Sequence, residues 1–203
     1  MEGSAPRLFR YGERELSYLK SRDERLSRLI DEVGYPEYEV IPDLFAALVF
    51  NIMGQQISVK AAQTVWRRAL DKFGAITPEN ILAASPSELQ SVGISMRKAG
   101  YIRDAAESIV SGALDIDALK NMPDEQVIKE LTKLRGVGKW TAEMLMIFSL
   151  ERPDVFSRDD FGLRRGLMKL HGLDTLDDAT FERFRRLYSP YCSVASFYLW
   201  QLK

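Results

Sequence analysis

Helical periodicity, interrupted at short intervals by glycine and proline, is the feature that most constrains the fold of this chain. Apolar residues recur at the i, i+3, i+4 spacing along almost all of the 203 residues, which places them on one face of an α-helix. Gly74 follows one such segment as a helix C-terminal signal, and Thr77-Pro78 and Ser85-Pro86 each pair a capping residue with proline at the first helical position. No convincing run of alternating apolar and polar residues is present. We therefore expect an all-α fold.

The pattern predicts roughly ten to twelve short helices. The main predicted segments are Arg14 to Val33, Asp43 to Met53, Ser58 to Phe73, Ser95 to Ser111, Pro123 to Leu134, Lys139 to Leu150, Phe161 to Leu170, Thr180 to Tyr188 and Pro190 to Leu202.

Composition excludes several kinds of protein. The single cysteine, Cys192, and the single histidine, His171, exclude an intramolecular disulfide, a four-cysteine zinc or iron–sulfur site and a two-histidine metal motif. No apolar run is long enough to span a membrane, and the N-terminal residues lack a signal-peptide core. We expect an intracellular protein, cytoplasmic in a prokaryote or nuclear in a eukaryote. The net charge is −1, so any nucleic-acid binding must come from local charge.

A turn with two glycines, Gly136 and Gly138, joins two of the predicted helices. Glycine lets another backbone approach closely, and the free N–H groups at the start of the next helix suit a phosphate. Lys139 adds a positive charge, and Lys133 and Arg135 precede it with no acidic residue between them. This is the pattern of a helix-hairpin-helix that binds the DNA backbone without reading bases. A plain helix–helix turn is the alternative.

Two adjacent carboxylates, Asp159 and Asp160, precede the next predicted helix. Acidic residues at a helix N-terminus are commonly no more than caps. The order of the segments favours a catalytic role instead, because a glycine hairpin and an apolar helix come directly before the pair.

Four segments in this order carry a resemblance to a known family. They are Met-Gly-Gln-Gln-Ile-Ser-Val-Lys-Ala-Ala (53–62), Leu-Arg-Gly-Val-Gly-Lys-Trp-Thr-Ala (134–142), Asp-Val-Phe-Ser-Arg-Asp-Asp (154–160) and Ser-Pro-Tyr-Cys-Ser-Val-Ala-Ser-Phe-Tyr-Leu-Trp (189–200). With them the chain resembles the helix-hairpin-helix–Gly/Pro–Asp DNA glycosylase superfamily, and within it the DNA-3-methyladenine glycosylase II (alkylpurine) branch. The resemblance runs from Pro42 to Leu202 and is to the compact members without an N-terminal β domain.

The resemblance implies an all-α fold of two helical subdomains with the active-site cleft between them. Residues 1–203 would form a single glycosylase domain. Residues 38–150 would form a helical barrel with the hairpin at 134–140, and residues 1–37 plus 151–203 would form the second subdomain from N- and C-terminal helices.

The resemblance also implies a monofunctional DNA glycosylase that flips out alkylated purines, 3-methyladenine and 7-methylguanine, in base excision repair. The essential aspartate of the family matches Asp160, which would stabilise the oxocarbenium-like sugar of the transition state. Asp159 would then be a capping or structural acid. Bifunctional relatives carry a Schiff-base lysine two residues after the second hairpin glycine, where this chain has Trp140, so water would be the nucleophile.

Other site residues are carried over from the same motifs. Trp140, Met144 and Trp200 would form the base pocket, and Gln56 and Ile94 would be wedges that fill the gap left by the flipped base. The DNA-binding residues would be Gly136, Val137, Gly138, Lys139 and Thr141. The backbone carbonyls of Thr132, Leu134 and Val137 would hold Na⁺ or K⁺ when DNA is bound. We expect no other cofactor, no iron–sulfur cluster and no membrane; the partner would be double-stranded DNA with damaged bases, bound by a monomer.

Two other functions stay open at this point. The first is a non-catalytic helix-hairpin-helix DNA-binding protein, which would tolerate Asp160→Asn. The second is a glycosylase of the same family that removes deaminated or mismatched bases. The shape of the pocket, rather than the sequence, would decide which base such an enzyme removes.

Overall fold

The computed structural model describes residues 7–202, and within this range the chain is helical, which confirms the predicted all-α class. The α-helices are α1 (Glu13–Arg22), α2 (Glu24–Val33), α3 (Leu44–Gly54), α4 (Val59–Phe73), α5 (Pro78–Ala83), α6 (Pro86–Gln90), α7 (Met96–Val110), α8 (Asp124–Leu131), α9 (Lys139–Phe148), α10 (Phe161–His171), α11 (Asp178–Tyr188) and α12 (Cys192–Leu199). A short 3-10 helix, Ala118–Asn121, precedes α8. In these described residues, no helix has both the length and the apolar character needed to cross a membrane.

The chain divides into two compact units, one of residues 41–150 and one of residues up to 40 together with those from 151 onward. We call the first the hairpin unit and the second the aspartate unit. The boundary falls after Val40 and not after residue 37. The reason is that the Val40 N–H donates to the Arg7 carbonyl at 2.9 Å and the Phe9 N–H donates to the Tyr38 carbonyl at 2.9 Å. These bonds join residues 38–40 to the N-terminal segment.

In the hairpin unit, α3 and α9 are the most deeply buried helices. Asp43 caps α3 by accepting the Ala46 N–H at 2.7 Å. Helix α3 packs against α4, α7 and α9, and residues 141–147 of α9 are all buried. The two most apolar predicted segments, Asp43 to Met53 and Lys139 to Leu150, therefore form the centre of one core.

In the aspartate unit, every residue of α12 is buried, and this helix packs against α2, α10 and α11. Its contact with α10 is a backbone contact. A Cβ added at Gly166 of α10 would lie 2.3 Å from the Leu199 carbonyl oxygen, so only glycine permits this approach. The close packing brings the end of α12 to the beginning of α10.

Three predicted segments differ most from the observed helices. The segment from Arg14 to Val33 is two helices, because the side chain of Asp23 accepts the N–H groups of Arg25 and Leu26 and starts a new helix. Helix α8 ends at Leu131 because i→i−3 bonds tighten the turn that follows it. Helix α12 is shorter at both ends than the predicted 190–202.

Candidate functional site

Asp160 is the N-cap residue of α10 and one of few buried polar side chains in the described residues, with 9% of its surface exposed. Its Oδ1 accepts the backbone N–H of Leu163 at 2.6 Å and the indole N–H of Trp200 at 2.9 Å. A helix N-terminus and two N–H donors together hold an anion in a fixed place. The resemblance gave Asp159 a capping or structural role, and the capping alternative was wrong, because Asp159 is exposed and Asp160 makes the cap.

Trp200 is half-buried, and its polar edge is directed at Asp160. The ring also lies 5.9 Å, centroid to centroid, from both Tyr38 and Phe197. The predicted base-pocket residue is therefore also a hydrogen-bond donor to the predicted catalytic carboxylate.

Gly162 makes room for this contact, and sequence reasoning missed it. A Cβ at this position would lie 3.1 Å from Cδ1 of Trp200 and 3.3 Å from Oδ1 of Asp160. Both distances are tighter than a side chain normally accepts. The only available sequence signal was a glycine near the start of a helix, where its cost in helix propensity suggests a special reason.

In the hairpin unit, the two glycines of the hairpin differ in their surroundings. Gly136 has φ +81°, and a Cβ there would lie 2.1 Å from Cδ2 of Tyr101, so the backbone lies directly against that ring. Gly138 is the N-cap of α9 at φ −92°, and nothing lies within 4 Å of where its Cβ would be. Gly136 is thus required by internal packing, whereas the space beside Gly138 is open to a partner.

The other predicted DNA-binding residues are divided between surface and core. Lys139 is exposed, whereas the side chains of Val137 and Thr141 are buried at 5% and 3% exposure. The Val137 N–H donates to the Leu134 carbonyl at 3.1 Å, and Oγ1 of Thr141 accepts from Nε2 of Gln55 at 3.3 Å. Val137 and Thr141 can therefore meet a ligand only through their backbone.

Each cation around the hairpin has an acidic neighbour. Lys133 pairs with Glu130 at 2.5 Å, Arg135 with Asp104 at 3.0 Å, and Lys139 lies 3.8 Å from Glu143. The absence of acids between Lys133 and Lys139 in sequence did not reveal this, because the partners come from α7, α8 and α9. The Lys133–Glu130 and Arg135–Asp104 pairs lie at the surface, where such a pair contributes about 0–1 kcal/mol, so exchanging them for phosphate contacts costs little, whereas Glu143 is buried.

The pocket and wedge candidates of the hairpin unit lie at different depths. Trp140 is 36% exposed, and Met144, one turn further along α9, is 5% exposed. Gln56 is exposed with φ +59°, an uncommon conformation for a residue other than glycine. Ile94 is only 6% exposed, which argues against it as a wedge, because a wedge must project from the surface. Met96, two residues later, is 48% exposed.

Cys192 and His171 each have structural partners of their own in the aspartate unit. The Cys192 thiol is fully buried and donates to the Arg185 carbonyl at 3.2 Å, and burial raises its pKa well above the ordinary value. Nε2 of His171 lies 3.3 Å from Oδ2 of Asp23. Residues 7–202 contain no group of His, Cys, Asp and Glu side chains suited to a metal ion.

Comparison with known proteins defines the class to which this fold and these motifs belong. The family described as HhH-GPD superfamily base excision DNA repair protein matches residues 49–190, and the chain belongs to this superfamily.

Individual relatives are similar over nearly the whole chain. DNA-3-methyladenine glycosylase 1 of Schizosaccharomyces pombe is 30% identical over 192 residues, which cover 91% of this chain and 84% of the relative. The crystal structure of a DNA-3-methyladenine glycosidase from Bacillus halodurans matches with a TM-score of 0.82 at 36% identity, covering 96% of this chain and 91% of that one. A 3-methyladenine DNA glycosylase of S. pombe in complex with abasic DNA matches with a TM-score of 0.81 at 29% identity, covering 93% and 95%.

Proposed function

We propose that this protein is a monofunctional DNA glycosylase that hydrolyses the N-glycosidic bond of alkylated purines, 3-methyladenine and 7-methylguanine, in duplex DNA. The observation that carries the proposal is the carboxylate of Asp160, buried and held at the N-terminus of α10 by Leu163 and Trp200. The similar proteins of known name act on 3-methyladenine, which supports the substrate class.

The reaction needs an anion beside the sugar. As the bond from C1′ to the base nitrogen breaks, its electron pair leaves with the base and positive charge develops on the deoxyribose. A preorganised carboxylate stabilises that charge without having to reorient during the step. An alkylated purine already carries a positive charge and leaves as a neutral base, so this chemistry does not demand a general acid.

The nucleophile in this proposal is water. Trp140 stands where bifunctional relatives have their lysine, so that position offers no amine for a Schiff base. The neighbouring Lys139 lies on a different side of α9 and is 3.8 Å from Glu143. The oxygen of water would bond to C1′ as the bond to the base breaks, one proton of that water would pass to solvent, and the products would be the free base and an intact abasic strand.

DNA binding is assigned to the hairpin unit. The open space at Gly138, beside the first N–H groups of α9, suits a phosphate. The exposed indole of Trp140, with Met144 one turn further along the same helix, offers a face on which a cationic flipped base can stack. Gln56 is the wedge of this proposal and would fill the gap in the base stack.

The proposal also includes a monovalent cation, held by backbone carbonyl oxygens in the turn before α9. The carbonyl oxygens of Thr132, Leu134 and Val137 are neutral, hard ligands of the kind that suits Na⁺ or K⁺. The Leu134 carbonyl accepts one bond from Val137 and has a second lone pair. We include such an ion, bound together with DNA, as a structural part of the proposal. The proposed acting species is a monomer in the compartment that holds the DNA, the cytoplasm of a prokaryote or the nucleus of a eukaryote.

Release of free base tests this function directly. The protein is incubated with duplexes that each carry one lesion, either 3-methyladenine, 7-methylguanine, a deaminated base or a mismatch, and the free base is measured by chromatography. The proposal predicts release of the two alkylated purines, no strand cleavage before alkali, and no covalent adduct with borohydride. Release of only the deaminated or mismatched base would favour the alternative glycosylase, and binding without any release would favour the non-catalytic protein.

A further inference from the structure

Two half-buried polar side chains, Lys98 and Gln55, join separate elements of the hairpin unit by hydrogen bonds that the function proposed so far does not explain. The ammonium group of Lys98, on α7, donates to the carbonyls of Met53 at 2.9 Å and Gln55 at 2.7 Å. The side-chain amide of Gln55 in turn donates to the Gly136 carbonyl at 2.8 Å and to Oγ1 of Thr141 at 3.3 Å. A chain of hydrogen bonds thus runs from α7 through the end of α3 to the hairpin.

The position of Lys98 disfavours the charged form of its ammonium group. Partial burial, and secondarily the charge of Arg97, lower the pKa of its ammonium group. A lysine on an exposed helix start would normally extend into water. Here it covers the free carbonyls at the C-terminal end of α3, where a cation is favoured.

The segment that these bonds restrain carries the wedge. Gln56 follows Gln55 directly and has the left-handed φ of +59°, which persists only where the surroundings hold it. On one side Lys98 fixes the Gln55 carbonyl, and on the other Gln55 is anchored to the hairpin through Gly136.

Helix α7 also supports the hairpin. Tyr101 lies one turn after Lys98 and packs against Gly136, and the Arg135 guanidinium lies 5.8 Å from the centroid of the same ring. One helix therefore holds the wedge segment with Lys98 and the hairpin with Tyr101, while Gln55 connects the two directly.

We propose that Gln55 and Lys98 are positioning residues that fix the wedge Gln56 at a set distance from the phosphate-binding hairpin. This inference rests on the proposed function for the role of Gln56. Both elements must engage one duplex at once, and a displacement of about 1 Å in such a constellation is enough to weaken function severely.

The test measures wedge insertion without chemistry. The duplex contains a stable tetrahydrofuran abasic analogue opposite 2-aminopurine, whose fluorescence changes when the gap beside it is filled. Affinity for this duplex is compared with affinity for the same undamaged sequence. In Gln55→Met the side chain keeps its length but loses its donors, and in Lys98→Met the ammonium group is lost.

We expect both variants to bind undamaged duplex within about threefold of wild type but to lose about tenfold in preference for the gapped duplex, the scale of one or two hydrogen bonds. The 2-aminopurine change should fall with that preference. Lys98→Arg keeps the charge and the donors and should restore both. Gln90→Met removes an exposed amide on α6, and Arg97→Met removes the neighbouring charge; each should leave the preference for the gap unchanged.

An unaltered gap preference and fluorescence change in Gln55→Met and Lys98→Met would overturn the inference. An equal loss on gapped and undamaged duplex would also overturn it, because the residues would then support the hairpin alone. Failure of wild type to release alkylated bases would count against the proposed function but not against this inference, since the binding assay needs no reaction. Thermal melts of all variants show whether any loss is one of folding; if Gln55→Met is unfolded, Lys98→Met and its Lys98→Arg rescue decide.

Discussion

The indole N–H of Trp200 lies 2.9 Å from Oδ1 of Asp160, and this contact separates two roles for the tryptophan. A stacking role uses the face of the ring, which phenylalanine also has. A positioning role uses the N–H, which phenylalanine lacks. Substitution of Trp200 by phenylalanine therefore removes the positioning role and retains the stacking role.

For Trp200→Phe we expect about a tenfold loss in the single-turnover rate of base release, the scale of one hydrogen bond to a charged group. The affinity for damaged duplex should stay within about twofold, because an aromatic face remains. The same substitution at Trp66, which packs edge-on against Phe50 in the hairpin unit, is the control. A rate equal to wild type for Trp200→Phe would assign the residue to stacking.

At this scale the sequence named candidate site residues but not their contacts. The family motifs pointed to Asp160, Trp200 and both hairpin glycines. The bond from Trp200 to Asp160 joins residues 40 positions apart, and its distance depends on how closely Gly166 lets α10 approach Leu199. No local pattern encodes that approach.

At the scale of elements, the hairpin is a turn in which the two glycines have different conformations and different surroundings. Gly136 needs a positive φ and space against Tyr101, whereas Gly138 has neither constraint. Substitution at the two positions should therefore produce different failures.

We expect Gly138→Val to fold like wild type but to lose affinity for damaged and undamaged duplex by similar factors, since backbone contacts carry no sequence information. Gly136→Ala should instead lower the free energy of unfolding by about 1–3 kcal/mol, because Tyr101 must shift and the φ is strained. Titrations with both duplexes and denaturant melts separate these outcomes. Tight DNA binding by Gly138→Val would contradict the assignment of the hairpin to the phosphate backbone.

The ends of a helix were predictable where neighbouring residues form a cap. They were not predictable where a capping residue lies inside a segment of continuous helical periodicity. Ser85 with Glu88 forms the capping box that their spacing predicts. Asp23 lies inside a segment of continuous helical periodicity, and only the folded structure shows that its carboxylate starts α2.

At the scale of the molecule, stability depends on a buried polar cluster in the aspartate unit. Asp23 accepts from the Tyr188 hydroxyl at 2.6 Å, and His171 lies beside both, so the cluster joins α2, α10 and α11. Burial by itself would raise the pKa of Asp23, but hydrogen bonds from His171, Tyr188 and the Leu26 N–H outweigh it and lower the pKa well below the ordinary value.

A lowered pKa in the folded state means that this carboxylate stabilises the fold above its unfolded pKa of about 3.9, and that the stabilisation is lost as the pH falls toward the folded pKa. Asp23→Asn should therefore lower the free energy of unfolding by about 1–3 kcal/mol at pH 7, with a difference that shrinks below about pH 4. Denaturant melts across this pH range measure it, with Asp31→Asn, an exposed acid on α2, as control. A difference that does not change with pH would contradict the account.

Long-range polar partners of this kind were beyond sequence reasoning. The cations at the hairpin looked unopposed, but Asp104 is 31 positions from Arg135 and becomes its partner only in the folded unit. The all-α class, by contrast, follows from the spacing of apolar residues, and it was predicted correctly although several helix ends were not.

The most direct test of the central claim is single-turnover excision by Asp160→Asn and Asp159→Asn on a duplex carrying one alkylated purine. Asparagine can still cap α10, so Asp160→Asn should fold and bind DNA at least as tightly as wild type, since an anion near the phosphates is removed. Its excision rate should fall by about 10²–10³ or more, because the charge that opposes the sugar cation is gone. Asp159→Asn, at an exposed position, should stay within about twofold of wild type. Excision at the wild-type rate by folded Asp160→Asn would contradict the account.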